Sequence, residues 1–259
     1  MSPLFLLGTA AFFLGLVAGS FANVLVLRFN TGMGMGNVRS ECFACGKVLG
    51  WQELIPLVSF LIQGGRCKQC RSKISWQYPL VELSLGLLYV VLYFKWQTTY
   101  GRFEDIPLLA FWFAVGFLLL VLSVYDIRHK VLPDHFSYAF FALALAGNLV
   151  FVKSSPHGLL LSLLPALFLF LLWAGSRGTW MGLGDAKLMA GGGFFLGWPG
   201  ALWVLMLAFW WGAAFGIILM IGERRANLKR EIPFGPFIAL GVLSVFLFPE
   251  IFDNIFIFI

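Results

Sequence analysis

Taken only as apolar and polar positions, the chain is a series of long apolar runs joined by polar connections. The runs cover 3–27, 79–95, 106–125, 132–152, 158–175, 186–198, 200–221 and 234–250. A helix that crosses a bilayer needs about 20 mostly apolar residues. The pattern therefore predicts an all-α polytopic membrane protein of about eight transmembrane helices, of which the sixth is short and glycine-rich. One long polar stretch, 29–77, separates the first run from the second. The organisation that follows is a first transmembrane helix (1–28), a loop domain (29–77) and a transmembrane core (78–259). The first run starts at Met1 with no basic segment and no small-residue cleavage site, so it reads as a retained helix and not a removed signal peptide.

Composition agrees with this pattern. Of 259 residues, 60% are hydrophobic and 12% charged, with a mean hydropathy of +0.90. An ordinary soluble domain is about 25% charged. Charge also orients the chain. With the N-terminus outside, fifteen Lys and Arg fall in inside segments, among them Arg28, Arg66, Lys68, Arg71, Lys73, Arg128, Lys130, Arg224 and Arg230. Only Lys95, Arg102 and Lys153 fall outside. Such a bias places the loop domain in the cytoplasm. The net charge of +6 is then accounted for by loops facing anionic lipid, and no nucleic-acid partner is required.

The loop domain holds all four cysteines, as "CFAC" (Cys42, Cys45) and "CKQC" (Cys67, Cys70). Two C-x-x-C knuckles at this separation match a tetrahedral four-cysteine zinc site. The alternative, a pair of disulfides, is disfavoured in a cytoplasm that keeps thiols reduced. Four thiolates leave no open position for water, so the zinc is expected to be structural. The preceding "TGMGMGN" follows a membrane helix rather than a strand, and reads as a linker more readily than as a nucleotide-binding loop.

Acidic residues at membrane depth are costly and mark functional sites by default. Glu82 lies within the second run, Asp126 closes the third, and Asp185 opens the sixth in "MGLGDAKLMAGGG". Asp134, behind Pro133, suits the start of a helix, where an acid complements the positive end. Asp185 could serve as a helix cap. Asp126 ends a helix, where an acid opposes the dipole, so its alternative is an ion pair with Arg128 or Lys130. Topology puts Asp126 and Asp185 on the same side. Were they to converge, they would share a proton, one acting as general base and the other as general acid.

At these residues the chain resembles the bacterial type IV prepilin peptidases. The similarity runs through "GSFANVLVLR" (19–28), both knuckles, "IPLVSFLIQGGRC" (55–67), "ISWQYPLVEL" (74–83), "YDIRHKVLPD" (125–134), "GLGDAKL" (182–188) and "IPFGPFIALG" (232–241). The resemblance implies a G-x-G-D aspartic peptidase of the bacterial inner membrane with Asp126 and Asp185 as its catalytic pair, and Asp134 outside that pair. It implies cleavage of the basic leader of prepilins or pseudopilins after a glycine, at the cytoplasmic face. It further implies N-methylation of the new terminus from S-adenosylmethionine. Phe43 and Ala44 replace the proline often found in the first knuckle, Leu54 stands where asparagine is common, and Gln77 where arginine is usual. These departures touch methylation and leader recognition more than proteolysis. Glu82 is a candidate for assisting the donor or lining the substrate groove, with a polar contact between helices as the alternative.

Three other readings stay in view. A peptidase without methylation would differ in the mass of its product. An assembly factor would need the cysteines but not the aspartates. An ion-coupled transporter would place acids near span centres within inverted repeats, whereas these acids sit at one edge.

Overall fold

Inside a bilayer every backbone N–H and C=O must be satisfied within its own segment, and a helix does this for an isolated apolar run. The computed structural model describes residues 3–30, 39–222 and 232–256. Among these it contains helices, two isolated antiparallel bridges (Glu41 with Val48, Arg66 with Lys73) and no strand. The helices are α1 Pro3–Arg28, α2 Val58–Ile62, α3 Gln77–Thr99, α4 Ile106–His129, α5 Asp134–Gly147, α6 Pro156–Ser162, α7 Leu164–Ser176, α8 Leu183–Leu196, α9 Gly200–Gly222, α10 Gly235–Leu247 and α11 Pro249–Phe256. The glycine linker 31–37 and the basic residues Arg224 to Arg230 lie outside the described residues.

Among the described residues, six segments are long and apolar enough to cross a membrane: Leu4–Arg28, Gln77–Thr99, Phe103–His129, Asp134–Val152, Pro156–Ser176 and Gly200–Ile221. The expected spans at 186–198 and 234–250 are α8 and α10, of 14 and 13 residues. At 1.5 Å per residue these reach about 20 Å, short of a hydrocarbon core about 30 Å thick. The expected span at 158–175 is interrupted, with α6 ending at Ser162 and α7 starting at Leu164. Pro165 explains the break, because it has no N–H to give and its ring crowds the carbonyl four residues back.

The chain divides into two compact units, Met1–Val121 and Leu122–Ile259. In the first, α1 and α3 pack backbone to backbone. A methyl on Gly15 would sit 2.6 Å from the Leu85 carbonyl, and one on Gly19 would sit 2.7 Å from the Glu82 Cα. This small-xxx-small spacing lets membrane helices approach closely. Tyr89 of α3 stacks on Phe113 of α4 at 4.1 Å, and its hydroxyl donates to the Phe113 carbonyl at 3.1 Å.

In the second unit α8 is the central helix. Its run Gly191, Gly192, Gly193 is buried and meets a different neighbour at each step: Phe140 of α5, Val242 of α10 and the Ser162 carbonyl at the end of α6. Asn148, buried where α5 passes into a single π turn, donates its side-chain amide to the Phe194 carbonyl of α8 at 2.8 Å. The glycines that lowered the apolar signal of this segment are what allow three neighbours to close around it.

Candidate active site

Asp126 sits in the last turn of α4, and Asp185 at the third position of α8. Both are buried, 5% and 8% exposed, although neither is an ordinary core residue. Each carboxylate takes one backbone N–H from the start of a helix. Gly235, the first residue of α10, donates to Asp126 Oδ2 at 2.9 Å, and Gly182, preceding α8, donates to Asp185 Oδ2 at 3.2 Å. Asp185 is not the N-cap of α8, since Gly182 is; from the third position it accepts the Gly182 N–H, which holds the carboxylate by one oxygen.

One side chain links the segments. Leu132, buried in the turn after α4, stands 2.7 Å from where a methyl on Gly184 would be and 3.3 Å from where one on Gly235 would be. Any larger residue at 184 or 235 would push these pieces apart. The Asp126 charge is close enough to act on Asp185. Two buried carboxylates, one within electrostatic reach of the other and each oriented by a backbone donor, have the components of proton-sharing acid–base chemistry on water.

Asp134 and Lys187 belong to the surround. Asp134 opens α5 behind Pro133, and its Oδ1 receives the Lys187 ammonium at 2.6 Å. Lys187 also lies 4.9 Å from the ring centre of Tyr138. The lysine two positions past Asp185 therefore faces Asp134 in an exposed pair. The Gly235 amide had no place in the sequence reading of the site. A backbone donor has no letter of its own, and its only trace was a glycine between prolines in "PFGP".

The four cysteine sulfurs of the loop lie within 4.8 Å of one another. Cys42 and Cys70 are 3.8 Å apart at sulfur, and all four are free. A disulfide would bring sulfurs to about 2.05 Å. Tetrahedral zinc with Zn–S of about 2.3 Å requires sulfur–sulfur edges near 3.8 Å. The cluster fits the metal and not a bridge. Two of its thiols are acidic already: the Ala44 amide, then the Ser72 hydroxyl, hold Cys42 down to about 6, and Ser72 lowers Cys70, whereas Cys45 is pushed up to about 11.

Glu82 is 6% exposed in α3. Its Oε2 accepts the Leu57 N–H at 2.8 Å, and the Ser20 hydroxyl also bonds it. Leu57 has φ +59° and ψ −50°, and Val58 N–H reaches back to the Pro56 carbonyl at 2.6 Å. This is a γ-turn of the rare positive-φ form, which for a leucine costs on the order of 1–3 kcal/mol. The neighbouring Asn23, also buried, donates to the Gly19 and Tyr78 carbonyls and accepts from the Gln77 side chain.

Comparison with known proteins gives two family matches in tandem. Residues 13–96 match the bacterial peptidase A24 N-terminal domain, and residues 112–217 match the type IV leader peptidase family. A Bacillus subtilis protein named prepilin leader peptidase/N-methyltransferase is 31% identical over 244 residues, covering 92% of this chain and 93% of its own. A Pseudomonas aeruginosa protein of the same name is 34% identical over 260 residues, covering 88% and 86%. A Myxococcus xanthus protein of that name is 34% identical over 225 residues, 85% of this chain but 65% of that longer one. No solved structure matches the chain.

Proposed function

The chain belongs to the type IV leader peptidase family, and we propose that it is an aspartic endopeptidase that removes the basic leader of type IV prepilins or pseudopilins after a glycine. The observation that carries this reading is the pair Asp126 and Asp185, both buried, with Leu132 packed between their segments and each carboxylate held by one backbone N–H. In the proposed reaction the ionised carboxylate takes a proton from water as that water attacks the glycine carbonyl. The protonated partner gives its proton to the carbonyl oxygen. As the C–N bond breaks, the proton gained by the base passes to the leaving amine, which becomes the new N-terminus, and one hydroxyl of the tetrahedral intermediate returns its proton to the partner carboxylate. Burial keeps competing water out, and the Gly235 and Gly182 amides hold one oxygen of each carboxylate so that the other faces substrate.

The same proposal places the protein in the bacterial inner membrane, N-terminus outside and dyad at the cytoplasmic face, supported by the distribution of basic residues. It counts α8 and α10, though short, with the six longer segments as about eight transmembrane helices. It takes 29–77 as a zinc-binding loop domain and 78–259 as the peptidase core. Cys42, Cys45, Cys67 and Cys70 would hold zinc as a structural clamp, supported by their sulfur spacing.

N-methylation of the new terminus rests on family membership. S-adenosylmethionine supplies an electrophilic methyl group when bound. Glu82, the candidate the sequence offered near that chemistry, has its carboxylate engaged by Leu57 and Ser20. Mass spectrometry of a prepilin co-expressed with the wild-type chain tests both halves. The expected product has lost its leader and gained the mass of one methyl group. Cleavage without that mass would reduce the function to proteolysis, and an intact leader would overturn the proposal.

A further inference from the structure

The loop domain carries an apolar surface that zinc binding does not explain. Val58, Leu61 and Ile62 of α2 are exposed, the last two at 75%, while Phe60 alone on that helix turns inward. Trp51 and Leu54 just before them are exposed as well. In a loop surrounded by water on all sides such a patch would be an aggregation liability.

The Glu82 contact gives its depth. Glu82 is five residues into α3, about 7.5 Å along the axis from Gln77. The 23 residues of α3 span about 35 Å, against about 30 Å of hydrocarbon. A centred helix thus carries Glu82 roughly 5 Å inside the hydrocarbon boundary. Leu57 is bonded to that carboxylate, so the residues following it start from the same level. Interfacial segments bury their apolar face about 5–10 Å into that boundary. The exposed lipid-facing side of α3 begins at Leu80, beside the same contact, and Trp76 before it is exposed at interface height. Arg66, Lys68, Arg71 and Lys73 follow in the loop, all exposed, and suit anionic headgroups.

We propose that residues 54–62 are a membrane-interface segment, in which Val58, Leu61 and Ile62 rest against lipid at the hydrocarbon boundary while the knuckles stay in water. The Leu57 γ-turn is the fold's way of sending an N–H down to a carboxylate buried among helices. The inference depends on α1 and α3 crossing the membrane and not on the peptidase reading.

The test uses the full-length protein in nanodiscs of phosphatidylcholine and phosphatidylglycerol. A spin label on a genetically encoded ketone amino acid replaces Leu61, Ile62 or, on the first knuckle, Phe43, with one equivalent of zinc as the check on folding. Collision with oxygen, which concentrates in lipid, is expected to exceed collision with an aqueous nickel chelate at 61 and 62, and to fall below it at 43. Nickel access at 61 equal to that at 43 would overturn the proposal, and so would shielding from both reagents, which would mean a protein covers the patch. A second measurement needs no variant: a phospholipid with an acyl-chain diazirine should photolabel the wild-type peptide containing Leu61 and Ile62 but not the one containing Phe43. Absence of label on the former refutes the assignment independently of any cleavage result.

Discussion

Gly235→Ala isolates the least visible part of the site. The new methyl would lie 2.8 Å from Asp126 Oδ2 and 3.3 Å from Leu132 Cδ2. The first distance is shorter than carbon and oxygen tolerate, so the carboxylate or the start of α10 has to move, weakening the 2.9 Å bond from the Gly235 N–H. A hydrogen bond to a charged group contributes about 1.5–3 kcal/mol, equivalent to roughly 10- to 150-fold in rate. A reacting group displaced by about 1 Å costs on the order of 100-fold. The expected result is a fall in kcat/KM near 100-fold for cleavage of a purified prepilin in nanodiscs, with helical content retained. Gly241→Ala is the control. On the same helix it would crowd the Val204 carbonyl at 2.9 Å and touch nothing in the site, so it should lower Tm while leaving kcat/KM of the folded enzyme near wild type. If Gly235→Ala cleaves within about threefold of wild type, less than 1 kcal/mol, the amide does not orient the carboxylate and the argument fails.

Asp126→Asn and Asp185→Asn should each abolish cleavage while zinc content and helicity persist, and a peptide assay showing full turnover in either would remove the aspartyl mechanism. Asp134→Ala breaks only an exposed pair with Lys187, whose side chains are 60% and 20% exposed, so a loss under about 1 kcal/mol and activity within about fivefold are expected; inactivity would make Asp134 part of the chemistry. Cys67→Ser should lose the bound zinc and loosen the loop, read by metal analysis and proteolysis. Zinc retention should also fall with acid. Cys42 is held at about 6, from an ordinary value of 9.0, so its thiolate is favoured above that range and lost as pH falls through it; dialysis at fixed free zinc should show less metal at pH 5 than at pH 7.

How far the sequence could be read follows from what each feature depends on. Long apolar runs are local, and α1, α3, α4 and α9 end within a few residues of where hydropathy put them. The knuckles are local too, since two cysteines three apart state their geometry. Asp126 and Asp185 were visible as acids at a membrane edge, but their proximity is a tertiary fact 59 positions apart. The partner of Lys187 is tertiary for the same reason: two residues past Asp185 in sequence, the lysine is turned by the helix toward Asp134, 53 positions away. The break at Leu163 was written in Pro165, yet the apolar run around it hid the consequence. Glu82 read as a lone intramembrane charge because the N–H it accepts comes from a strained turn 25 residues earlier.

The three buried glycines of α8 make that helix a depth gauge. Phe140, Val242 and the Ser162 carbonyl grip it at three successive angles, about 100° apart, so it can neither rotate nor slide without a collision. Asp185 stands six residues before the first of them, about 9 Å along the axis. Inserting or deleting one residue between 185 and 191 would shift the carboxylate by about 1.5 Å and swing it by about 100°, carrying it away from Asp126. On the proposed mechanism, the spacing between an acid and a glycine triplet would set the level at which a bond is cut, and substrate would have to come to that level because the helix cannot.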